Sequence, residues 1–448
     1  MKPLKMASFE LLEMLFSPKR EKYYVIGLPG GPCGELTKNN YPPDKIIAPK
    51  VFCKKTLSKK SIFDLWKSEK KQIHQTNLND LIRRYKIGAI APDTYTSVFL
   101  DNWASKNKLK IISTPHQFQK KFENKIFFDK FLHKHQLPVP KSLILKSEKD
   151  LEKIDFFPVI VQIPESNGSS GTFLMREKKE ILQLISGNKK VKLPLLCRHF
   201  IEQGIPLGVS VLIGPKKIVF SAIRMQAYFS QPDGKSIYYG IQWVKTSFFS
   251  EAIIKKINRM LFKAGKEFQK LGFRGIAAFD LILRGEELYF IECNPRTGGS
   301  TPHMAFRTEL LHGLVFTEEF IKITTGGELS AHKPFIPDSK YEGFNLDCGF
   351  MAYYMPAGQR VNALKSGIYK FQEGKLQFIS FKVEKFTEKK GSIFVYFVRP
   401  DGEVLKASNF IGFMLTHFPL LKMTKNKYTF SAKAQRFLKH VENVIIKK

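Results

Sequence analysis

The segment at residues 276–300, IAAFDLILRGEELYFIECNPRTGGS, constrains the fold of this chain more than any other. Two of its stretches, AAFDLIL and ELYFIEC, are apolar at nearly every position, and glycine and glutamate separate them. Apolar runs of this length on either side of a short turn predict an antiparallel β-hairpin buried on both faces. Each predicted strand nevertheless carries one acid, Asp280 in the first and Glu292 in the second. Acids in buried strands indicate a functional site.

The register of this hairpin predicts how the acids face each other. A three-residue turn after Arg284 would place Asp280 opposite Glu292, with β-carbons about 5 Å apart. Asn294 would share their face, because side chains alternate along a strand. Two carboxylates at that distance raise each other's pKa unless a cation lies between them. Since hard oxygen ligands suit Mg²⁺, we expect Asp280, Glu292 and Asn294 to bind Mg²⁺, with Mn²⁺ as a substitute; the alternative is a hairpin whose acids pair with lysines.

The residues after the second strand, PRTGGS, supply groups that bind anions. Arg296 can hold a phosphate or carboxylate oxygen, and the glycines let backbone N–H groups approach an anion closely. AAFDLIL and ELYFIECNPRTGGS together resemble the metal-binding strands of the ATP-grasp superfamily, in which an acid on one strand is followed by Glu-x-Asn-x-Arg on the next.

Three upstream segments resemble other parts of that superfamily, in the same order, so that the resemblance covers residues 119–324. NKIFFDKFLHKHQLPVP is similar to the helix whose first lysine, here Lys125, reaches the nucleotide phosphates. FPVIVQIPESNGSSGTFLM is similar to the glycine-rich phosphate hairpin, and LLCRHFIEQGIPLGVSVLI to the hinge strand whose backbone hydrogen-bonds adenine. The nucleotide-binding residues that this resemblance implies are Lys125, Gln162, Ser169, Ser170, Gly171, Thr172, Arg198, His199, Phe200, Ile201 and Glu202.

Two positions depart from the family pattern. Gln162 replaces the second nucleotide lysine, and Leu207 stands near the place of an acidic ribose ligand, for which Glu202 is a candidate substitute. The glutamine, NGSSGTF and NPRTGGST are most similar to the branch of peptide ligases related to pheganomycin-type ligases.

The resemblance implies an ATP-dependent carboxylate–amine ligase. ATP would convert a carboxylate into an acyl phosphate, which an amine attacks to give an amide or peptide bond. Arg296 and Lys125 would be the catalytic cations, because phosphoryl transfer depends on positioning and charge stabilisation. The cofactors would be ATP and Mg²⁺ and the partners small-molecule carboxylates and amines, while a homodimer is left open.

The pattern of predicted elements divides the chain into three parts, α/β and α+β in class. Alternating strands and helices in residues 1–118 predict a Rossmann-like domain of the kind that precedes ATP-grasp domains. Residues 119–324 would form the two-lobed ATP-grasp core. After a joint containing glycine and proline, residues 325–448 read as a mostly β domain of short strands with a terminal helix.

Composition keeps other classes of function open. Lys and Arg outnumber Asp and Glu by 73 to 40, a net charge of +33 that would attract nucleic acid, but the lysines are dispersed and form no basic block. Five separated cysteines indicate no disulfide framework or zinc site, which favours the cytoplasm. No membrane span or secretion signal is predicted. The alternatives are an ATP-grasp kinase acting on a small molecule and a basic nucleic-acid-binding protein with a degenerate nucleotide fold.

Overall fold

The computed structural model describes residues 4–8, 23–27, 83, 86–91, 96–166, 171–188, 191–230, 236–244, 246–297, 316–331, 349–354, 359–360, 367–380, 391–397, 404–405, 410–424 and 427–445. Among these residues, no helix is both long enough and apolar enough to cross a membrane.

The N-terminal segment contains a small parallel sheet, in agreement with the predicted α/β class. Helix α1 (Val98–Lys106) begins after Ser97, whose side chain accepts a hydrogen bond from the Leu100 amide. The sheet has the order β2-β1-β3-β4. Strand β1, LKMAS, is missing from the sequence prediction because it is too short to show a period. The strands are β1 (Leu4–Ser8), β2 (Tyr23–Gly27), β3 (Ala89–Ala91) and β4 (Lys110–Ile111).

Two helices and a four-stranded antiparallel sheet, with strand order β5-β8-β6-β7, follow. We call this sheet and its helix α4 the small lobe. One face of the sheet packs around Val159, Val161 and Cys197, and the opposite face carries Gln162 and Arg198. The elements are α2 (His116–Glu123), α3 (Lys125–Lys134), β5 (Ser142–Leu145), β6 (Val159–Gln162), β7 (Thr172–Met175), α4 (Lys178–Gly187) and β8 (Leu195–His199).

An 11-stranded antiparallel sheet, which we call the large sheet, contains most of the remaining described strands. Its order is β14-β13-β9-β11-β12-β15-β21-β19-β17-β18, with β10 paired to β9. The first half comprises β9 (Ile205–Ile213), β10 (Ile218–Phe220), β11 (Arg224–Ser230), β12 (Ser236–Trp243), α5 (Glu251–Lys270), β13 (Gly275–Arg284), β14 (Glu287–Asn294) and α6 (Phe316–Thr324).

The C-terminal strands extend this sheet, because β15 pairs with β12. Two short pairs, β16 with β20 and β22 with β23, lie outside it. The elements are β15 (Gly349–Tyr354), β16 (Gln359–Arg360), β17 (Gly367–Gln372), β18 (Lys375–Ser380), β19 (Ser392–Phe397), β20 (Val404–Leu405), β21 (Phe410–Thr416), β22 (Leu421–Thr424), β23 (Lys427–Phe430) and α7 (Ala432–Ile445).

One face of the large sheet is covered by helices. Phe122 of α2 stacks on Phe268 of α5 at 4.1 Å between ring centroids, and Phe268 meets Phe279 of β13 edge to face. Helix α5 is amphipathic and Gly272, with φ +76°, follows its end, as predicted. The other face of β9, β11, β13 and β14 is therefore left to carry polar side chains.

The turn of the β13–β14 hairpin differs from the prediction. It contains two residues, Gly285 and Glu286, and Gly285 supplies the positive φ of +57° that such a tight turn needs. Arg284 consequently pairs with Glu287, and a three-residue turn is wrong. A bulge then leaves Ile291 as the extra residue of β14, so that Asp280 still pairs with Glu292. The bulge compensates for the shorter turn.

Candidate functional site

Four strands of the large sheet place one residue each in a single row. Arg224 of β11 pairs with Gly208 of β9, Gly208 with Asp280 of β13, and Asp280 with Glu292 of β14. Paired residues share a face of the sheet. The predicted acids therefore lie side by side on the face opposite the helices, with a cationic side chain at the far end of the row.

Asp280 is the centre of the polar contacts in this row. Its Oδ1 accepts a hydrogen bond from Gln226 Nε2 at 2.6 Å, and its Oδ2 accepts one from Asn294 Nδ2 at 3.1 Å. Arg224 Nη2 lies 3.8 Å from Oδ1. Arg224 and Gln226 point the same way along β11, as the alternation of a strand predicts.

The guanidinium of Arg224 reaches Asp280 by passing over a glycine. A β-carbon on Gly208 would lie 2.8 Å from Arg224 Cζ, so any other residue would displace the guanidinium. Arg224 is buried, and its Nη1 donates to Ser210 Oγ at 3.0 Å. The absence of a side chain at Gly208 therefore allows the buried Arg224 guanidinium to lie beside Asp280.

Burial dominates the electrostatics of the site. Desolvation raises the pKa of Asp280 to about 7; Arg224 opposes the rise, Glu292 adds to it, and the Gln226 hydrogen bond and Arg296 oppose it. Burial also lowers the pKa of Arg224, although Asp280 opposes that change. Asp280 is consequently close to half-protonated at neutral pH in the absence of a further cation.

Lys125, at the first turn of α3, connects the phosphate-loop region to Glu292. The ammonium donates to the Ser166 carbonyl at 2.7 Å and lies 3.5 Å from Glu292 Oε1. The side chain is buried, with 3% of its surface exposed. Asn124 caps the helix by accepting from the Phe127 amide, which fixes the direction in which α3 begins. The structure therefore brings Lys125 to the metal row.

Arg296 lies at the other side of the row. Its Nε donates to Glu123 of α2, and its Nη2 lies 3.3 Å from Asn294 Oδ1. Burial raises the pKa of Glu123, and Arg296 opposes the rise. The sequence analysis missed Glu123; its signal was an acid two residues before Lys125, at the end of an amphipathic helix.

Arg198 occupies a position that the sequence analysis did not anticipate. Its side chain is buried and contacts Asp129 of α3, with Nε and Nη2 each 2.9 Å from Oδ1. Its Nη1 donates to the carbonyl of Ile291, the bulge residue that precedes Glu292. The side chain of Arg198 thus joins the small lobe to the strand that carries the second acid. Asp129 was also missed, although an acid among the phenylalanines of α3 was visible in the sequence.

The remaining hinge residues differ in exposure. The amides of His199 and Phe200 donate to backbone carbonyls at 2.8 and 2.9 Å. Ile201 is buried and Glu202 is exposed. Leu207 is fully buried in the core under the large sheet and offers no polar group.

Gln162 lies at the end of β6, between Leu196 of β8 and Thr172 of β7. It shares a face with Leu196, and the adjacent pair on that face contains Arg198, which is directed at α3 and β14. Only 4% of its surface is exposed, and among the described residues its Oε1 has no hydrogen-bond partner. Gly171 closes the loop by accepting from the Ile163 amide at 2.8 Å.

Some predicted residues fall outside the described part of the chain. These are Ser169 and Ser170 in the loop and the glycines after Thr297.

The donor set fits a divalent cation bound together with an anion. Asp280 and Glu292 face each other and offer hard carboxylate oxygen atoms. Asn294 turns its amide nitrogen toward Asp280 and its oxygen toward Arg296, so it would offer that oxygen to a cation after its amide turns over. Within the described residues no three acidic, histidine or cysteine side chains form a closed metal cage. Two carboxylates and one amide leave coordination positions for water or phosphate, which is the manner in which Mg²⁺ usually binds.

The charges around the row balance. Four buried or half-buried cations face four carboxylates. The cations are Lys125, Arg198, Arg224 and Arg296, and the carboxylates are Glu123, Asp129, Asp280 and Glu292. Each predicted metal acid has a cationic neighbour, but these neighbours are buried parts of the site and not exposed lysines.

The fold and the site together define a class: two antiparallel sheets, a buried lysine at a helix start, and an acid pair on an antiparallel hairpin. Residues 122–300 match the model of the ATP-grasp domain. This part of the chain is thus similar to the ATP-grasp superfamily, and the match covers less than half of the chain.

A curated protein of known activity is similar to part of the same region. The chain is 29% identical to a D-alanine–D-alanine ligase of Fusobacterium nucleatum subsp. nucleatum over 182 residues, which are 40% of this chain and 59% of that enzyme. The chain thus spans less than two thirds of this relative.

Two solved structures share the fold. The biotin carboxylase domain of the Hydrogenobacter thermophilus 2-oxoglutarate carboxylase, in complex with MgADP, ADP and bicarbonate, has a TM-score of 0.61 at 13% identity, covering 93% of this chain and 86% of that one. An L-amino acid ligase from Bacillus licheniformis has a TM-score of 0.60 at 14% identity, covering 100% of both chains. Both confirm the mixed α/β architecture.

Proposed function

We propose that the protein is an ATP-dependent carboxylate–amine ligase that forms an amide or peptide bond. The observation that carries the proposal is the row of Asp280 and Glu292 with Lys125 3.5 Å from the second acid. The chain is similar in sequence to a D-alanine–D-alanine ligase and similar in fold to an L-amino acid ligase. We place the protein in the cytoplasm, as a small-molecule enzyme, and propose domain boundaries at residues 118/119 and 324/325.

The charge balance of the site supports the requirement for Mg²⁺. A triphosphate that enters a cluster of equal positive and negative charge brings excess negative charge, which a divalent cation neutralises. Asp280, Glu292 and Asn294 would hold Mg²⁺, which would supply positive charge to offset that of the phosphates. Because Asp280 has a pKa of about 7, proton release would accompany cation binding near neutral pH.

Each remaining residue has a role that follows from its position. Lys125 would exchange its contact with Glu292 for a phosphate oxygen, since both are anionic and the ammonium has three donors. Arg296 would hold the acyl carboxylate or the transferred phosphoryl group. The loop residues Ser169, Ser170, Gly171 and Thr172 would donate to the triphosphate.

The hinge would bind adenine through its backbone. Since the amides of His199 and Phe200 already donate to carbonyl groups, we assign the donor toward adenine to Ile201 or Glu202. The Arg198 side chain would position the acid strand and not touch the base.

Nucleotide titration tests the metal site. Calorimetry should show ATP binding that strengthens with Mg²⁺ in the wild type and that no longer responds to Mg²⁺ in the Asp280→Asn/Glu292→Gln double variant. Glu286→Gln, in the exposed turn of the same hairpin, is the matched control and should bind as the wild type does. An equal response to Mg²⁺ in all three proteins would remove the basis of the assignment.

Product analysis tests the reaction. ADP release should be screened over amino acids and small peptides, with mass detection of an amide product. A phosphorylated product without an amide would identify a kinase instead. Tight, salt-sensitive nucleic-acid binding without ATP turnover would favour the basic binding protein.

A further inference from the structure

The amide of Gln162 is buried in an arrangement that is unfavourable without a ligand. The residue is 4% exposed, and in the described part of the chain its carbonyl oxygen has no partner. Hydrogen bonds of the described residues do not engage its amide nitrogen either. A buried polar group without a hydrogen bond destabilises the folded state, so such a group points to a partner that the chain itself does not supply.

The chemistry of an amide restricts what the ligand presents. A glutamine offers one acceptor and one donor side by side, and turning the amide over exchanges their places without changing the pair. Phosphate oxygens only accept, so they leave the amide oxygen unsatisfied. A lysine at this position would only donate.

One edge of adenine has the complementary pair. Its N6 amino group donates and its N7 accepts, whereas guanine offers two acceptors, O6 and N7, on the same edge. A glutamine can therefore form two hydrogen bonds to adenine but not to guanine, while a lysine can donate to N7 of either base.

The position of Gln162 agrees with a contact to the base. It pairs with Leu196, which lies on the same strand as the first hinge residues, two positions before Arg198. Arg198, on the same face, is directed at α3 and β14. This step rests on the proposed function, which places adenine beside the hinge.

We propose that Gln162 reads the purine base and makes the nucleotide site selective for adenine over guanine. The inference goes beyond nucleotide binding, because it assigns the selectivity for the base to Gln162. This side chain offers a hydrogen-bond donor and an acceptor where the family pattern has the charge of a lysine.

Binding of nucleotide analogues tests this role. Dissociation constants are measured by calorimetry, in the presence of Mg²⁺ and without other substrates, for ATP, GTP, 7-deaza-ATP and purine riboside triphosphate. The last two lack N7 and the 6-amino group, respectively. The proteins are the wild type, Gln162→Leu, Gln162→Lys and the control Gln183→Leu, which changes an exposed glutamine of α4.

The wild type and Gln183→Leu should bind ATP about tenfold or more tightly than GTP or either analogue. Gln162→Leu should reduce the preference for ATP over GTP about tenfold and should bind ATP and 7-deaza-ATP within about threefold of each other, because the hydrogen bonds from the glutamine are gone and the hinge contacts remain. Gln162→Lys should reduce the preference for ATP over GTP in the same way but should still bind ATP more tightly than 7-deaza-ATP. The nucleotide-free Gln162→Leu protein should melt no lower than the wild type, because leucine removes an unsatisfied group.

Two results would overturn the inference in distinguishable ways. An unchanged ratio of ATP to GTP affinity in Gln162→Leu would refute the base contact while leaving the nucleotide site intact. Absence of any nucleotide binding by the wild type would refute the proposed function itself.

Discussion

Replacing Asp280 by asparagine should stabilise the metal-free protein while abolishing its response to Mg²⁺. The carboxylate has a pKa of about 7 in the folded protein against 3.8 ordinarily, mainly because burial disfavours its charge. A group whose pKa is raised by folding contributes stability that is fully present below pH 3.8 and lost as the pH rises through about 7. Above pH 7 the ionised acid therefore opposes folding.

The size of the effect follows from the shift and the contacts. A rise of roughly three pKa units corresponds to about 4 kcal/mol at most. In the wild type Gln226 and Asn294 both donate to the Asp280 carboxylate. An asparagine at position 280 has one amide oxygen and can accept from only one of them, and the loss of the other hydrogen bond costs about 1–2 kcal/mol. We expect a net gain of about 2 kcal/mol at pH 8 and no gain near pH 4.

Thermal denaturation in EDTA at pH 4, 5, 6, 7 and 8 measures this difference. The melting midpoint of Asp280→Asn should exceed that of the wild type by about 2–4 °C at pH 8, and the difference should shrink as the pH falls. Asp155→Asn, which changes an exposed acid whose pKa Lys141 lowers, should show no such gain. Added Mg²⁺ and ATP should raise the midpoints of the wild type and of Asp155→Asn, but not that of Asp280→Asn. A variant less stable than the wild type at pH 8, or a difference independent of pH, would refute the reasoning.

Three further substitutions probe the surroundings of this acid. Lys125→Ala should weaken ATP binding about 10–100-fold by calorimetry, because it removes a buried cation, whereas Lys130→Ala on the exposed side of the same helix should not. Gly208→Ala should lower the ADP-release rate about tenfold by displacing the guanidinium above it, and Gly187→Ala, with open space around its β-carbon, should not. Arg198→Lys keeps a charge beside the acid of α3 but loses the hydrogen bond from Nη1 to the Ile291 carbonyl, so it should raise the Mg²⁺ concentration needed for half-maximal nucleotide binding; unchanged Mg²⁺ dependence would contradict its positioning role.

The sequence could predict the acid pair because strand alternation and the apolar runs are local signals. It could not predict how Asp280 and Glu292 keep their pairing, since a two-residue turn and a bulge at Ile291 compensate each other. Different hairpin geometries can thus lead to the same juxtaposition. Helical spacing of apolar residues also predicted α3, and the family resemblance pointed to its first lysine, Lys125.

Contacts between distant segments were beyond the sequence. Arg198 and Asp129 are 69 positions apart, and Arg296 and Glu123 are 173 positions apart. No periodic pattern relates such residues, because their proximity depends on how the small lobe sits against β14. The sequence predicted that the backbone of Arg198 belongs to the adenine hinge. It did not predict that the Arg198 side chain contacts β14, the strand that carries Glu292.

The pairing of β15 with β12 has a consequence for any shortened form of the protein. These strands join residues 236–243 to residues 349–354 within one sheet. A chain ending at residue 324 would leave one side of β12 with unpaired N–H and C=O groups, which attract strands from other molecules. The ATP-grasp segment on its own should therefore self-associate, and the C-terminal strands serve it as a cover for a sheet edge.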